Sequence, residues 1–117
     1  MPNKTNIVYI FWTCRSNEEA KKIIRNLLSQ RLIACASIFP EIESLYRWRG
    51  AIEKSKETKV ILKTKDENFS LIKSYIKEHC SYEEPEIVKV SISEGSNSYI
   101  SWILQETKEQ TFCRRRI

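Results

Sequence analysis

Only two glycines, three prolines and one histidine occur in the 117-residue chain, and each scarcity closes off a class of function. Two glycines cannot build the glycine-rich loop that cradles a phosphate. The same shortage leaves no room for a long flexible linker. One histidine, His79, excludes a two-histidine dyad or metal site within a single chain. The four cysteines, at 14, 35, 80 and 113, show neither a CxxC pair nor zinc-like spacing, so reduced thiols in the cytoplasm are expected. The apolar run Ile7 to Trp12 is too short for a membrane span or a signal core, so no membrane partner is expected. Cys113 stands five residues from the end, one too far for a prenylation box.

A concentrated block of one charge is also missing from the body of the chain. The net charge is +5, but Arg114, Arg115 and Arg116 at the C-terminus supply three of the surplus positives. Elsewhere Lys and Glu alternate as on solvated faces, and no nucleic-acid partner is expected. With 41% hydrophobic and 30% charged residues, the composition is that of an ordinary globular protein. We expect one domain over 1–117, with a core at 7–106 and tails at 1–6 and 107–117.

What is present reads as alternating strands and helices. Ile7 to Trp12 is a continuous β-branched and aromatic run, suited to a central strand buried on both faces. Ser16 to Glu19 forms a capping box, followed by Ala20, Ile23, Ile24, Leu27 and Leu28 at helical spacing. Ala34 to Phe39 predicts a second strand, interrupted at Pro40 and resumed to Trp48; proline there implies a sheet edge or a bulge. Arg49-Gly50 makes the turn into a third strand whose most apolar part is Lys59 to Thr64. Asp66 predicts the N-cap of a second helix carrying Phe69, Ile72 and Ile76 inward. Ile87 to Ile92 predicts a fourth strand with Val88, Val90 and Ile92 on one face. After Gly95 a last helix starts near Ser98 and carries Tyr99, Trp102, Ile103 and Leu104.

The order βαββαβ plus a C-terminal helix predicts an α+β, ferredoxin-like fold, with two helices on one face of an antiparallel sheet and the second strand at its edge. Ala34 to Trp48 would extend roughly 50 Å at about 3.3 Å per residue, against a diameter of about 35 Å for a compact domain of this size. The hairpin therefore overhangs the core while carrying Leu45, Tyr46 and Trp48 near its tip. Pairing with another subunit resolves this exposure; the alternative is a hairpin that folds back on its own chain.

Candidate chemistry concentrates in His79-Cys80-Ser81-Tyr82-Glu83-Glu84-Pro85-Glu86. His79 and Cys80 at a helix end could ligate copper or zinc, with Glu83, Glu86 or a second subunit completing the shell. The alternative is a histidine favoured by the helix dipole and a cysteine that fills the core. No nucleophile with an adjacent base can be assembled, and Cys14, Cys35 and Cys113 read as structural. No catalysis is expected. The third strand lacks the aromatics of an RNA-recognition module, and no acylphosphatase-like arginine loop follows the first strand.

Several segments together are similar to the CutA divalent-cation tolerance family: EEAKKIIRNLL, LIACASIFP, SLYRWRGAIE, ETKVILKTK and SYEEPEIVKVSISEGSNSYISWI, in order from about Ile7 to Ile103. The resemblance implies a ferredoxin-like subunit that assembles as a homotrimer through extended hairpins, similar in shape to the PII signalling proteins. It implies a cytoplasmic role in tolerance of copper or another divalent cation, with no established reaction. His79 matches one histidine position of the family's metal-ligating pair. Cys80 stands where the second is usual, and Ser81 where proline is. The strand-one cysteine position of some members falls on Trp12, with Cys14 two residues on. The implied metal residues are thus His79 and Cys80. The implied inter-subunit cleft takes Tyr46, Trp48, Lys63, Tyr82, Glu83 and Trp102. A second reading is a PII-like signalling or scaffolding trimer that holds a small anionic ligand or a protein partner in those clefts.

Overall fold

A computed structural model describes residues 4–108 of the chain. Its elements are β1 (Ile7–Cys14), α1 (Asn17–Ser29), β2 (Cys35–Trp48), β3 (Ala51–Lys65), a 3-10 turn (Asp66–Asn68), α2 (Phe69–His79), β4 (Ile87–Ile92) and α3 (Asn97–Glu106). The strands form one antiparallel sheet in the order β2-β3-β1-β4, so the α+β ferredoxin-like topology holds and β2 lies at an edge. Cys113 and Arg114 to Arg116 lie outside the described residues.

Strand alternation decides which face holds the core. Val8, Ile10, Trp12 and Cys14 of β1 are fully buried with Val60 and Leu62 of β3. Against them pack Ala20, Ile23, Ile24 and Leu27 of α1, and Ile72 and Ile76 of α2. Leu28, at the margin of the apolar stripe, stays largely exposed. The expectation that β1 is buried on both faces is corrected, because Tyr9, Phe11 and Thr13 are only partly covered. Val88 and Val90 pair with Phe11 and Tyr9 and are 47% and 44% exposed. Only one end of this second face is covered: Ile7 and Ile103 are fully buried there, apart from the main core, where α3 lies against β1 and β3.

Two capping expectations also change. Ser16 caps α1, accepting the Glu19 N–H at 3.2 Å. The Glu19 carboxylate does not return to close the box but accepts from Ser81, 62 residues away. Asp66 opens the 3-10 turn instead of capping α2, and its carboxylate takes Lys89 at 2.6 Å. Helix α2 starts after Asn68, whose buried amide donates to the Leu32 carbonyl and to Thr64 Oγ1.

The β2–β3 hairpin outruns the sheet. β1 pairs with β3 only from Lys65 to Thr58, so residues 51–57 and 42–48 pair with each other alone. At about 3.3 Å per residue that is an overhang of roughly 23 Å. The radius of gyration, 15.1 Å, exceeds the value of about 13 Å for a compact chain of this length. The turn residues Arg49 and Gly50 both have positive φ, as a two-residue hairpin turn of matching twist requires.

Candidate functional site

Pro40 and its neighbour Glu41 determine what the overhang presents. Between Phe39 and Ile42 the register slips by one residue, with Glu41 at φ 56°. One extra residue exchanges the two faces of a strand. Cys35, Ser37 and Phe39 pair with Lys63, Ile61 and Lys59 on the open face; past the bulge, that face is continued by Ile42, Ser44, Tyr46 and Trp48. Leu45, paired with Lys54, and Ile52, paired with Arg47, go to the opposite side, where they are 71% and 74% exposed.

Tyr46 and Trp48 thus line a groove of about 760 Å³ whose other wall is the Tyr82–Glu86 segment. Arg49 at the hairpin turn reaches across to Glu83 through two hydrogen bonds of 3.0 and 3.1 Å, and its guanidinium sits 5.2 Å from the Trp48 ring centre. The hairpin therefore curves toward its own chain at the tip, yet leaves Tyr46 and Trp48 partly open. At the base, Lys59 Nζ is 3.2 Å from Glu86 Oε1 and lies over the Phe11 ring. The Tyr82 phenol is pushed well above its ordinary pKa by burial and by its hydrogen bond to the Glu57 carboxylate. It therefore keeps its proton and donates that hydrogen bond throughout the physiological range.

His79 and Cys80 face different surroundings, although they are adjacent. His79 is exposed and stacks on Tyr75, with ring centres 4.0 Å apart. Its Nδ1 is 2.9 Å from the Tyr75 carbonyl. A carbonyl only accepts, so Nδ1 carries the proton and the neutral ring keeps its lone pair on Nε2. Cys80 caps α2 and packs against the core. Burial pushes its thiol up, and it donates to the Glu19 carboxylate. Burial also pushes the neighbouring Cys14 thiol up to about 12. Glu19 would be raised by burial too, but hydrogen bonds from the Ser81 N–H and hydroxyl at 2.6 and 2.8 Å, then from Cys80, with Arg15 nearby, hold it below the usual carboxylate range. Among the described residues, no group of three or more His, Cys, Asp or Glu side chains is arranged to hold a metal ion.

Lys63 and Trp102 are not part of the groove. Lys63 lies over the Tyr9 ring at 5.5 Å, near the Tyr9–Tyr99 hydrogen bond, and Trp102 stacks on Tyr99 along α3. The chain thus gathers Tyr46, Trp48, Tyr82 and Glu83 and leaves Lys63 and Trp102 at the other end of the open face. Sequence reading passed over Arg15, Arg49, Glu57 and Lys59. Arg15 lies between β1 and α1, Arg49 in the hairpin turn and Glu57 and Lys59 on β3, so only the fold brings their charges together.

The CutA1 divalent ion tolerance protein model matches residues 8–106. A divalent-cation tolerance protein CutA of Archaeoglobus fulgidus is 39% identical over 104 residues, covering 89% of this chain and 98% of the relative. The protein of the same name from Pyrococcus horikoshii is 35% identical over 103 residues, 88% of this chain and all of that one. Against longer animal and plant homologues the chain spans less, 60% of the Xenopus laevis protein and 55% of the human one. Among solved structures, the divalent cation tolerance protein of Thermus thermophilus superposes with a TM-score of 0.84 at 33% identity, covering 87% of this chain and 99% of that one.

Proposed function

The chain belongs to the CutA1 divalent ion tolerance family, and from that premise we propose that it works as a cytoplasmic homotrimer that binds a divalent cation, copper foremost, at its subunit interfaces and catalyses no reaction. The family is named for tolerance of an ion, not for a reaction. The observation that carries the assembly is the open sheet face with its overhanging hairpin. Phe39, Val88, Val90, Trp102 and Leu104 are each more than a third exposed on one subunit, as are Leu45 and Ile52. So much apolar surface beside an unpaired edge strand is the signature of an interface.

His79 suits the cation. A ligating histidine commonly donates its second ring N–H to a carbonyl, which fixes the tautomer and aims the other nitrogen outward. His79 has that arrangement through Tyr75. Cys80 turns inward, so His79 supplies one donor per subunit and groups from a second copy complete the shell. Tyr46, Trp48, Tyr82 and Glu83 would then form the cleft wall beside it. The groove's aromatic walls also suit a small ligand, as in a PII-like signalling role.

Copper and zinc titrations of the wild type and of His79→Ala, with His79→Ala/Cys80→Ala beside them to detect any share of Cys80, test the site. Tight binding by the wild type that His79→Ala loses supports it; equal weak binding by all three removes the site from these residues.

A further inference from the structure

The overhanging hairpin keeps a free edge on the side toward β1. Trp48 and Ala51 flank the two-residue turn, and such flanking residues bond each other. Pairing then alternates along the strand: Glu53, Ser55 and Glu57 bond back to β2, while Ile52, Lys54 and Lys56 turn their N–H and C=O groups to the other side. β1 occupies that side only as far as Cys14, opposite Thr58. Among the described residues no strand pairs with 51–57 there, and the groove opens between this stretch and the 82–86 segment. An unpaired edge beside a groove is a template for an added strand.

The bulge also sorts charge across the hairpin. Glu53 and Glu57 share the groove face with Tyr46 and Ile42, their partners in register. Arg47, Lys54 and Lys56 leave from the back, and only Lys56 reaches the rim of the groove. Glu83, Glu84 and Glu86 stand on the facing wall. Arg49 and Lys59 answer Glu83 and Glu86, but Glu53, Glu57 and Glu84 make no ion pair among the described residues. Arg15 lies at the inner end, its Nε 3.2 Å from the Ser81 hydroxyl. The groove therefore suits an extended segment that brings positive charge, with an aromatic side chain for Tyr46 and Trp48.

The chain itself carries such a segment. Residues 109–117 follow the last described residue and read EQTFCRRRI. In an extended strand Phe112, Arg114 and Arg116 would share one side. At about 3.3 Å per residue, 109–117 spans roughly 30 Å, enough to cover the roughly 23 Å of 51–57. The groove of the same chain is out of reach. The Lys108 N–H donates to the Arg31 carbonyl at 2.8 Å, and the nearby Ala34 N–H donates to the Lys63 carbonyl at 2.9 Å, so the segment starts beside the Lys63 end of β3. From Lys63 to Ala51 is roughly 40 Å by the same rise. The family match ends at residue 106, so it does not include this segment.

We propose that segment 109–117 of a neighbouring copy fills this groove as a strand added along 51–57, its arginines against Glu53, Glu57 and Glu84 and Phe112 against Tyr46 and Trp48. The proposal rests on the assembly described above and adds to it a head-to-tail exchange, in which each chain fills one groove and receives one segment, as a closed ring allows. The segment then competes with any small ligand for the groove.

Disulfide trapping in the full chain tests this. Lys54→Cys places a thiol in the middle of the free edge, on the back with Leu45, and Cys113 supplies the other thiol. On the added strand Cys113 faces opposite to Phe112, which is the side of residue 54. Mild oxidation should link the two between chains, giving dimers and trimers on a non-reducing gel and a 54–113 linked peptide by mass spectrometry. Ser74→Cys, exposed on α2, should give neither. Arg114→Glu/Arg116→Glu should cut the linked yield about tenfold, the loss of two exposed ion pairs. Glu53→Lys/Glu84→Lys should do the same, and the two double changes combined should restore the yield. A yield no higher than that of Ser74→Cys would overturn the proposal, as would a link within one chain, Cys113 joined to Cys35 instead, or indifference to charge reversal. Light scattering on the same samples separates the two readings: a trimer without the link loses the exchanged segment and keeps the assembly, whereas a single chain mass loses both.

Discussion

Replacing Val90 with lysine separates the fold of one subunit from its assembly. Val90 is 44% exposed on the open face, with Tyr9 directly opposite and Lys63 beyond it in the same row. That row holds no carboxylate to neutralise a new ammonium. On an isolated subunit the change is a surface substitution, worth within about 0.5 kcal/mol. In an assembly that closes over this face two costs appear. Burying the rest of a valine is worth about 1 kcal/mol, from roughly 1.5–3 kcal/mol for a whole side chain. An unpaired charge in a buried interface costs about 3 kcal/mol more. Together these weaken each contact by on the order of 1,000-fold. Sedimentation velocity over a dilution series reads the assembly, and urea unfolding with far-UV circular dichroism reads the subunit. Val90→Lys should dissociate at concentrations where the wild type stays assembled, while keeping its secondary structure. An unchanged dissociation curve refutes the assignment of the open face as the interface.

Ile103 is the fully buried anchor of α3, so Ile103→Ala should cost about 2–4 kcal/mol in urea unfolding; a loss below about 1 kcal/mol would mean that α3 is not docked as described. The Glu19 carboxyl is held below its ordinary pKa by Ser81 and Cys80 against the opposing effect of burial. A depressed carboxylate contributes stability above its unfolded value, and that contribution is lost as pH falls through the folded value. Glu19→Gln should therefore flatten the acid side of the stability curve, and an equally steep fall in the variant would place the sensitivity elsewhere. Arg49 holds φ 52°, a left-handed conformation costing an ordinary side chain about 1–2 kcal/mol, whereas its ion pair with Glu83 is about 70% exposed and worth under about 1 kcal/mol. Relief of strain outweighs the lost pair, so Arg49→Asn should leave the melting temperature unchanged or higher; a clear fall would show that the Glu83 latch dominates.

The first helix and the strand order were legible because Ala20, Ile23, Ile24 and Leu27 keep helical spacing and the β-branched runs are well separated. Pro40 announced an edge or a bulge and stands beside one. Which residue takes the left-handed conformation was not legible, yet Glu41 doing so decides that Ile42, Ser44, Tyr46 and Trp48 share the face that lines the groove. A capping box read locally missed Ser81, because long-range hydrogen bonds leave no trace in sequence spacing. The same holds for Arg49 with Glu83. His79 and Cys80 were found as a pair by adjacency, but a helix end aims consecutive side chains in different directions. The residues of the cleft were thus partly readable, and their grouping was not.

Molar mass in solution, measured by multi-angle light scattering at micromolar concentration, tests the central claim most directly. The assembly built on the open face and the overhanging hairpin predicts three times the chain mass of 13.9 kDa. A particle of one chain mass, stable on raising the concentration, would contradict the trimer and every cation or ligand site placed between its subunits.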